Sequence, residues 1–263
     1  MKRFVLIALL MALTSSLVSY SQGAKKSTYV LVHGSWMGAF AWDEIKPRLE
    51  RAGHTVISLD LPGHGNDPTP TDKLSLEGYK QAVIAAIGTR KDVVLVGHSF
   101  GGVVISSVAE AIPAQLSTLV FIAGYLPRTG ESAYSLSNED KASKVGQYWT
   151  QTDPKNFSPA SIKSEGIVEV FCADCPAKYK QLIVAKHRAE AVPPIATPVT
   201  LTAKNYGSVP RYYIETLKDN TISHGLQTLM LSRVTVSQRF QLNTSHSPFF
   251  SQPDKLAAIL LGL

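Results

Sequence analysis

Six short runs of apolar, largely β-branched residues punctuate the chain: Thr28–Val32, Thr55–Leu59, Val93–Val96, Thr118–Ile122, Pro210–Glu215 and Val234–Leu242. The first four are almost continuously apolar, as strands covered on both faces should be; a sheet open to water on one side would alternate. Between them apolar residues recur at helical spacing. Phe40, Trp42, Ile45 and Leu49 form one such set, and Leu76, Tyr79, Val83, Ile84 and Ile87 the next. A third runs from Val103 to Ala111 and is closed by Pro113. Pro47 interrupts the first set and predicts a kink or a break there. Strand–helix alternation of this kind predicts an α/β fold with a mainly parallel, doubly wound sheet.

The alternation fails between Tyr125 and Pro198. That stretch carries short amphipathic pieces, "NEDKASKVGQYWTQ" and "AKYKQLIVAKHRAE", separated by Pro-bearing turns. Strand and helix then resume, with helices expected around Ile222–Leu231 and from Pro253 to Leu261. An insertion with apolar helix faces, placed after the C-terminal end of a strand, reads as a cap over a crevice. The expected organisation is a core built from 22–124 and 199–263, with 125–198 as the cap.

The N-terminus departs from this pattern. "MKRFVLIALLMALTSSLVSYSQGAKK" has a basic start, an apolar run from Phe4 to Leu13, and then small and polar residues. That is the layout of a signal peptide, 1–21, with cleavage after Ser21 and alternatives after Gly23 or Ala24. The apolar run is short for a membrane span, although a retained N-terminal anchor is the competing reading. The expectation is an exported protein, periplasmic or secreted, with no stable membrane insertion after processing. At 263 residues, 44% hydrophobic and 17% charged, the chain suits one sizeable core. Its net charge of +6 is scattered, with pairs at Lys25-Lys26 and Arg90-Lys91 but no longer run, so no nucleic-acid partner is expected. Cys172 and Cys175 stand as "FCADC". An exported protein permits a local disulfide, and two buried thiols are the alternative.

The chemistry centres on "VGHSFGG". A strand precedes Ser99 and a helix follows it, so the serine sits on a sharp turn at the sheet's C-terminal edge, beside a helix N-terminus. A serine hydroxyl needs a base to take its proton. His246 in "LNTSHSPFF" lies on a loop after the last strand, and Asp219 in "YYIETLKDNTIS" lies just past the strand before it. The order Ser99, Asp219, His246 brings nucleophile, acid and base to one sheet edge. Glu215 is the rival acid, but it falls within the strand pattern. The backbone N–H groups of Ser35 and Phe100 are placed to form an oxyanion hole, with Gly34 leaving room for close approach. His33 is expected to brace that loop, and His64 and His98 to belong to turns. His54, His187 and His224 read as surface or satisfied polar groups. No metal-ligand spacing emerges and no cofactor is expected. Tyr148, Trp149, Phe157 and Phe171 are cap aromatics that could line a substrate pocket or pack the cap itself.

With these residues in place the chain resembles the α/β-hydrolase superfamily, and within it the group of plant methylesterases, hydroxynitrile lyases and related bacterial serine esterases. The likeness is carried by "VLVHGSWMGAFAWDEIKPRLERAGHTVISLDLPGHGND", "VLVGHSFGG", "LKDNTIS" and "SHSPFFSQPDKLAAIL". It implies a six-stranded sheet and a triad of Ser99, Asp219 and His246. In the lyases of this group a threonine follows the first-loop histidine and a lysine follows the catalytic one. Here those positions hold Gly34 and Ser247, and cyanide would leave without its positive partner. The resemblance therefore implies hydrolysis of a small-molecule carboxylic ester through an acyl-enzyme. The alternatives are a lactone, an amide or a carbon–carbon bond as substrate, or a small-ligand-binding protein without turnover.

Overall fold

The computed structural model describes residues 26–263, so the expected signal segment 1–21 lies outside the described residues. Strands β1 (Thr28–Val32), β2 (Thr55–Ser58), β3 (Val93–His98), β4 (Leu116–Ile122), β7 (Arg211–Thr216) and β8 (Gln238–Leu242) form one sheet. A separate antiparallel pair, β5 (Trp149–Gln151) and β6 (Ala160–Ile162), lies in the insertion. The large sheet has the order β2-β1-β3-β4-β7-β8 and every pairing in it is parallel. This is the doubly wound α/β sheet that the strand–helix alternation predicts.

Alternate residues of each central strand serve opposite layers. Val30, Val32, Leu95, Leu119 and Phe121 pack with the helices Leu76–Ile87 and Gly101–Ala111. Tyr29, Leu31, Val94, Val96, Val120 and Ile122 pack with Trp42, Leu49, Phe249 and Leu256 on the other face. Burial on both faces is why these strands read as nearly unbroken apolar runs. β2 leads away from β1 on one side and β3 on the other, so the direction of winding reverses between β1 and β3. A crevice opens at the carboxyl ends of strands at such a reversal. The loops carrying Ser35 and Ser99 leave β1 and β3 at that point.

Several boundaries differ from the sequence reading. The expected helix over Phe40–Leu49 is a 3-10 turn, Ala39–Trp42, followed by a helix Lys46–Arg51. Pro47 lies in that helix's first turn, where a missing N–H costs no hydrogen bond. The helix expected at Ile222–Leu231 runs His224–Arg233, capped by the Ser223 hydroxyl accepting from the Leu226 N–H. The run read as strand from Val234 opens with the helix's C-cap and a short connection, and β8 begins only at Gln238. In the insertion, "NEDKASKVGQYWTQ" forms a single helical turn, Val145–Tyr148, and then β5. Longer helices there are Ser164–Phe171 and Ala177–Lys186.

Gly102 shows how tightly the Ser99 turn is packed. A Cβ there would lie 2.2 Å from the Tyr125 carbonyl oxygen. Gly102→Ala is therefore expected to lower the thermal midpoint by several degrees or leave the chain insoluble, a loss on the order of 1–3 kcal/mol. An unchanged melting curve would contradict this packing.

Candidate active site

Ser99 follows the last residue of β3 and precedes the helix Gly101–Ala111, with φ +55°. A non-glycine residue held there is strained, and the surroundings over-determine it. Its N–H donates to the Ile122 carbonyl at 3.2 Å, and its carbonyl accepts from Gly102 and Tyr125 at 3.0 Å each. The flanking glycines answer close backbone approach. A Cβ on Gly97 would lie 2.6 Å from the Gly101 carbonyl, and one on Gly101 would lie 2.7 Å from that of Val32. The Ser99 side chain is thereby presented to a cavity of about 380 Å³ between the sheet edge and the insertion.

Asp219 and His246 converge from β7 and β8. His246 Nδ1 lies 2.8 Å from Asp219 Oδ2, and both side chains are buried. Asp219 Oδ1 accepts from the N–H groups of Thr221 at 2.7 Å and Ile222 at 2.9 Å. Its Oδ2 also accepts from the Thr216 hydroxyl at 2.7 Å. A carboxylate with this many donors stays in one place and can orient an imidazole. His246 Nε2 is buried without a hydrogen-bond partner among the described residues. An imidazole so held presents an empty nitrogen that can take a proton from a hydroxyl placed against it. Glu215 is elsewhere: it is bound by Arg239, at 3.1 and 3.0 Å, and by His224 Nε2 at 3.0 Å.

The loop after β1 closes the other side. A Cβ on Gly34 would stand 2.6 Å from Ser99 Cβ, so this loop touches the serine only because the residue is glycine. The backbone N–H groups of Ser35 and Phe100 are not engaged in any hydrogen bond among the described residues. His33 is fully buried and ties the loop down as expected. The Leu61 N–H donates to its Nε2 at 3.0 Å, so its proton sits on Nδ1, which donates to the Gly34 carbonyl at 2.8 Å.

Other histidines differ from the sequence reading. His98 is not in a turn; it is the last residue of β3, fully buried, and its Nε2 donates to the His246 carbonyl at 2.9 Å. Burial, and then proximity to His246, hold its ring neutral well below the usual histidine range. His64 does sit in a turn, but it is buried and paired with Glu190 at 2.9 Å. His187 bonds Ser161 at 2.9 Å, and burial brings its pKa down to about 4. Among the described residues no group of three or more His, Cys, Asp or Glu could hold a metal ion, and no helix is long and apolar enough to cross a membrane.

Of the cap aromatics, Trp149 lines the cavity. Tyr148, its neighbour, does not: its hydroxyl bonds Glu169 at 2.6 Å and its ring lies against Gly166. Phe171 is buried behind the site, 5.5 Å from the Trp36 ring and 6.1 Å from that of His246. Phe157 is 57% exposed and stands apart from the cavity. Sequence reasoning missed Trp36, Tyr125, Tyr134 and Ile195 in the lining. Only Trp36 and Tyr125 had a signal, each following a strand's C-terminal end.

Cys172 and Cys175 form a disulfide, which settles the alternative left open by their spacing. The short loop they close carries Asp174, which accepts from the N–H and hydroxyl of Ser245, the residue before His246. The preceding helix accepts from Asn220 and Thr221 at 2.8 Å each, beside Asp219. One cap element thus holds both loops that supply the acid and the base.

Burial sets a pH dependence of stability. His33, held down by burial and then by the charge on His64, has its pKa lowered to about 4, as has His187. The unfolded chain binds these protons near 6.5 and the folded one does not. The stability these neutral rings contribute is therefore complete above 6.5 and lost as pH falls toward about 4. The thermal midpoint should fall across that window, and a flat profile would contradict the assignment.

Comparison with known proteins agrees with the fold. The model of the alpha/beta hydrolase family matches residues 29–259. Methylesterase 9 of Arabidopsis thaliana is 31% identical over 89% of this chain and 97% of its own. Putative methylesterase 13, chloroplastic, of the same plant is 30% identical over 92% of this chain. The chain spans 57% of that protein and 63% of putative methylesterase 11, chloroplastic. The crystal structure of polyneuridine aldehyde esterase superposes with a TM-score of 0.81 at 25% identity, over 90% of this chain and 99% of that one.

Proposed function

Because the chain belongs to the alpha/beta hydrolase family, we propose that it is an exported serine carboxylesterase that cleaves small, hydrophobic esters. The observation that carries this reading is that the turn bearing the strained Ser99 and the loop bearing His246 meet at one sheet edge, the rings of His98 and His246 lying 4.5 Å apart, while Asp219 orients His246, whose Nε2 has no partner among the described residues. Ser99 attacks the ester carbonyl while His246 Nε2 takes its proton. The tetrahedral oxyanion is held by the N–H groups of Ser35 and Phe100, which have no other hydrogen bond among the described residues. His246 then returns the proton to the departing alcohol, and activates water to release the acid.

The cavity favours neutral, apolar groups. Trp36, Phe100, Ala133, Val145, Trp149 and Ile195 supply its apolar wall, while Asp140 at its lining disfavours an anionic substrate. The relatives are named as methylesterases and a polyneuridine aldehyde esterase. The lyase reading is disfavoured because a threonine at Gly34 would collide with Ser99 and Ser247 supplies no charge. Export is supported by the signal-like segment 1–21 and by the disulfide, which an oxidising compartment maintains. A hydrolysis screen over short and aromatic esters, with Ser99→Ala as control, tests the activity. N-terminal sequencing of the mature protein tests the export.

A further inference from the structure

Beyond the cap helix Ala177–Lys186, the chain contacts both the loop that follows β1 and the loop that follows β2. His187 stacks on the Trp36 ring, and Arg188 donates to the carbonyls of Gly65 at 3.0 Å and Asp67 at 2.8 Å. Glu190 pairs with Ala160 of β6 through both backbone groups, at 2.8 Å each. The same Ala160 carbonyl accepts from the Trp36 indole N–H at 3.1 Å.

The Glu190 carboxylate is fully buried. It accepts from the Tyr79 hydroxyl at 3.0 Å and from His64 Nε2 at 2.9 Å, and the Ser35 hydroxyl lies beside it. The other nitrogen of His64 lies 3.0 Å from the Pro62 carbonyl. A carbonyl and a carboxylate can only accept, so both ring nitrogens carry protons and His64 is an imidazolium. Burial opposes both charges, but each is offset by the other: His64 is held above its ordinary range and Glu190 below. A buried ion pair is weak evidence for stability in itself, and one that persists asks for a positional explanation.

The position supplies it. Ser35 carries one of the two N–H groups of the oxyanion site, neither engaged among the described residues. Phe100 carries the other, and its ring meets the edge of Tyr79 at 6.0 Å. His33 already holds the Gly34 carbonyl, one end of the peptide unit whose other end is the Ser35 N–H. We infer that Glu190, charged against His64, is a positioning residue for the oxyanion site: with the His64 ring 5.1 Å from that of His33 and with Ala160 holding Trp36, it braces Ser35 from the cap side and keeps its N–H aimed at the reacting carbonyl. The inference rests on the esterase reading. Donors fixed beforehand cost no reorganisation when charge develops. The oxyanion exists only after attack, so a loosened donor lowers kcat and leaves substrate binding nearly unchanged.

The test uses the full chain and p-nitrophenyl acetate, with active sites counted by a fluorophosphonate. Glu190→Gln keeps the shape but removes the charge that retains the proton on His64. Its kcat per titrated site should fall about ten- to a hundredfold, with KM within about threefold of the unmodified protein. Ser35→Ala removes the hydroxyl and leaves the backbone N–H, and should lower kcat in the same direction by less. A kcat per titrated site within about threefold of the unmodified value in Glu190→Gln overturns the proposal, because the loss expected of a displaced donor is larger. If that variant does not fold, an unchanged kcat in Ser35→Ala overturns it. Ser99→Ala run alongside separates the two readings. Turnover that survives Ser99→Ala overturns the esterase reading and the positioning role with it. Turnover abolished by Ser99→Ala yet intact in Glu190→Gln overturns the positioning role alone.

Discussion

Ser99→Ala and His246→Ala should each remove at least roughly three orders of magnitude of ester turnover, about 4 kcal/mol of transition-state stabilisation. The two side chains act with Asp219 as a unit, so losing either leaves only substrate binding and the oxyanion donors. Neither change should unfold the protein. Ser99 carries no side-chain hydrogen bond in the described network, and its replacement by another non-glycine residue leaves the strained turn as it was. His246→Ala costs more structure, because Asp219 loses one donor, but the carboxylate retains Thr216, Thr221 and Ile222. Steady-state kinetics on variants checked by circular dichroism decide the matter. Retention of a tenth of the activity in either would contradict the assigned roles.

Asp219→Asn should cost on the order of 10²–10⁴ in turnover, the upper figure being that of the corresponding change in a serine protease. The hydrogen bonds explain the mechanism of the loss. Oδ1 accepts two backbone N–H groups, so the substituted amide must place its carbonyl there and its NH₂ in the position of Oδ2. That NH₂ faces His246 Nδ1, which in the unmodified protein lies 2.8 Å from an acceptor. Two donors cannot face each other, so the imidazole moves its proton to Nε2, the atom that must be empty to serve as base. His98 still holds the His246 carbonyl, so the ring stays in place with the wrong tautomer. Glu215→Gln should leave turnover within about threefold, a change no larger than ordinary substitutions away from the reacting atoms produce. Its carboxylate serves Arg239 and His224 and has no contact with His246. A dead Glu215→Gln beside a live Asp219→Asn would reverse the choice of acid.

What could be read in advance follows from how locally each feature is written. The buried strands are legible because burial on both faces leaves no polar alternation, and the Ser99 turn because its glycines answer steric demands within a few residues. Asp219 and His246 follow from chain order once the sheet is known to be parallel. The Phe40–Leu49 segment misled because helical spacing does not reveal whether Pro47 sits inside a helix or opens one. The pairing of Glu190 with Tyr79 spans 111 residues, and nothing near either residue announces it. Without that partner His64 looked like a turn residue, and its charge could not be inferred. In the cap, Tyr148 and Trp149 are adjacent, yet only the tryptophan reaches the cavity. Which one does so depends on the short β5–β6 pairing, which three-residue strands cannot signal.

The most direct test of the central claim is covalent. A fluorophosphonate reacts with a serine whose proton is removed by an adjacent base, and the adduct's mass can be located on a peptide. The account expects one adduct per chain, on the peptide containing Ser99, formed at a rate that collapses in His246→Ala and is absent in Ser99→Ala. An active ester hydrolase whose Ser99 peptide stays unmodified, or whose adduct maps to another residue, would contradict it.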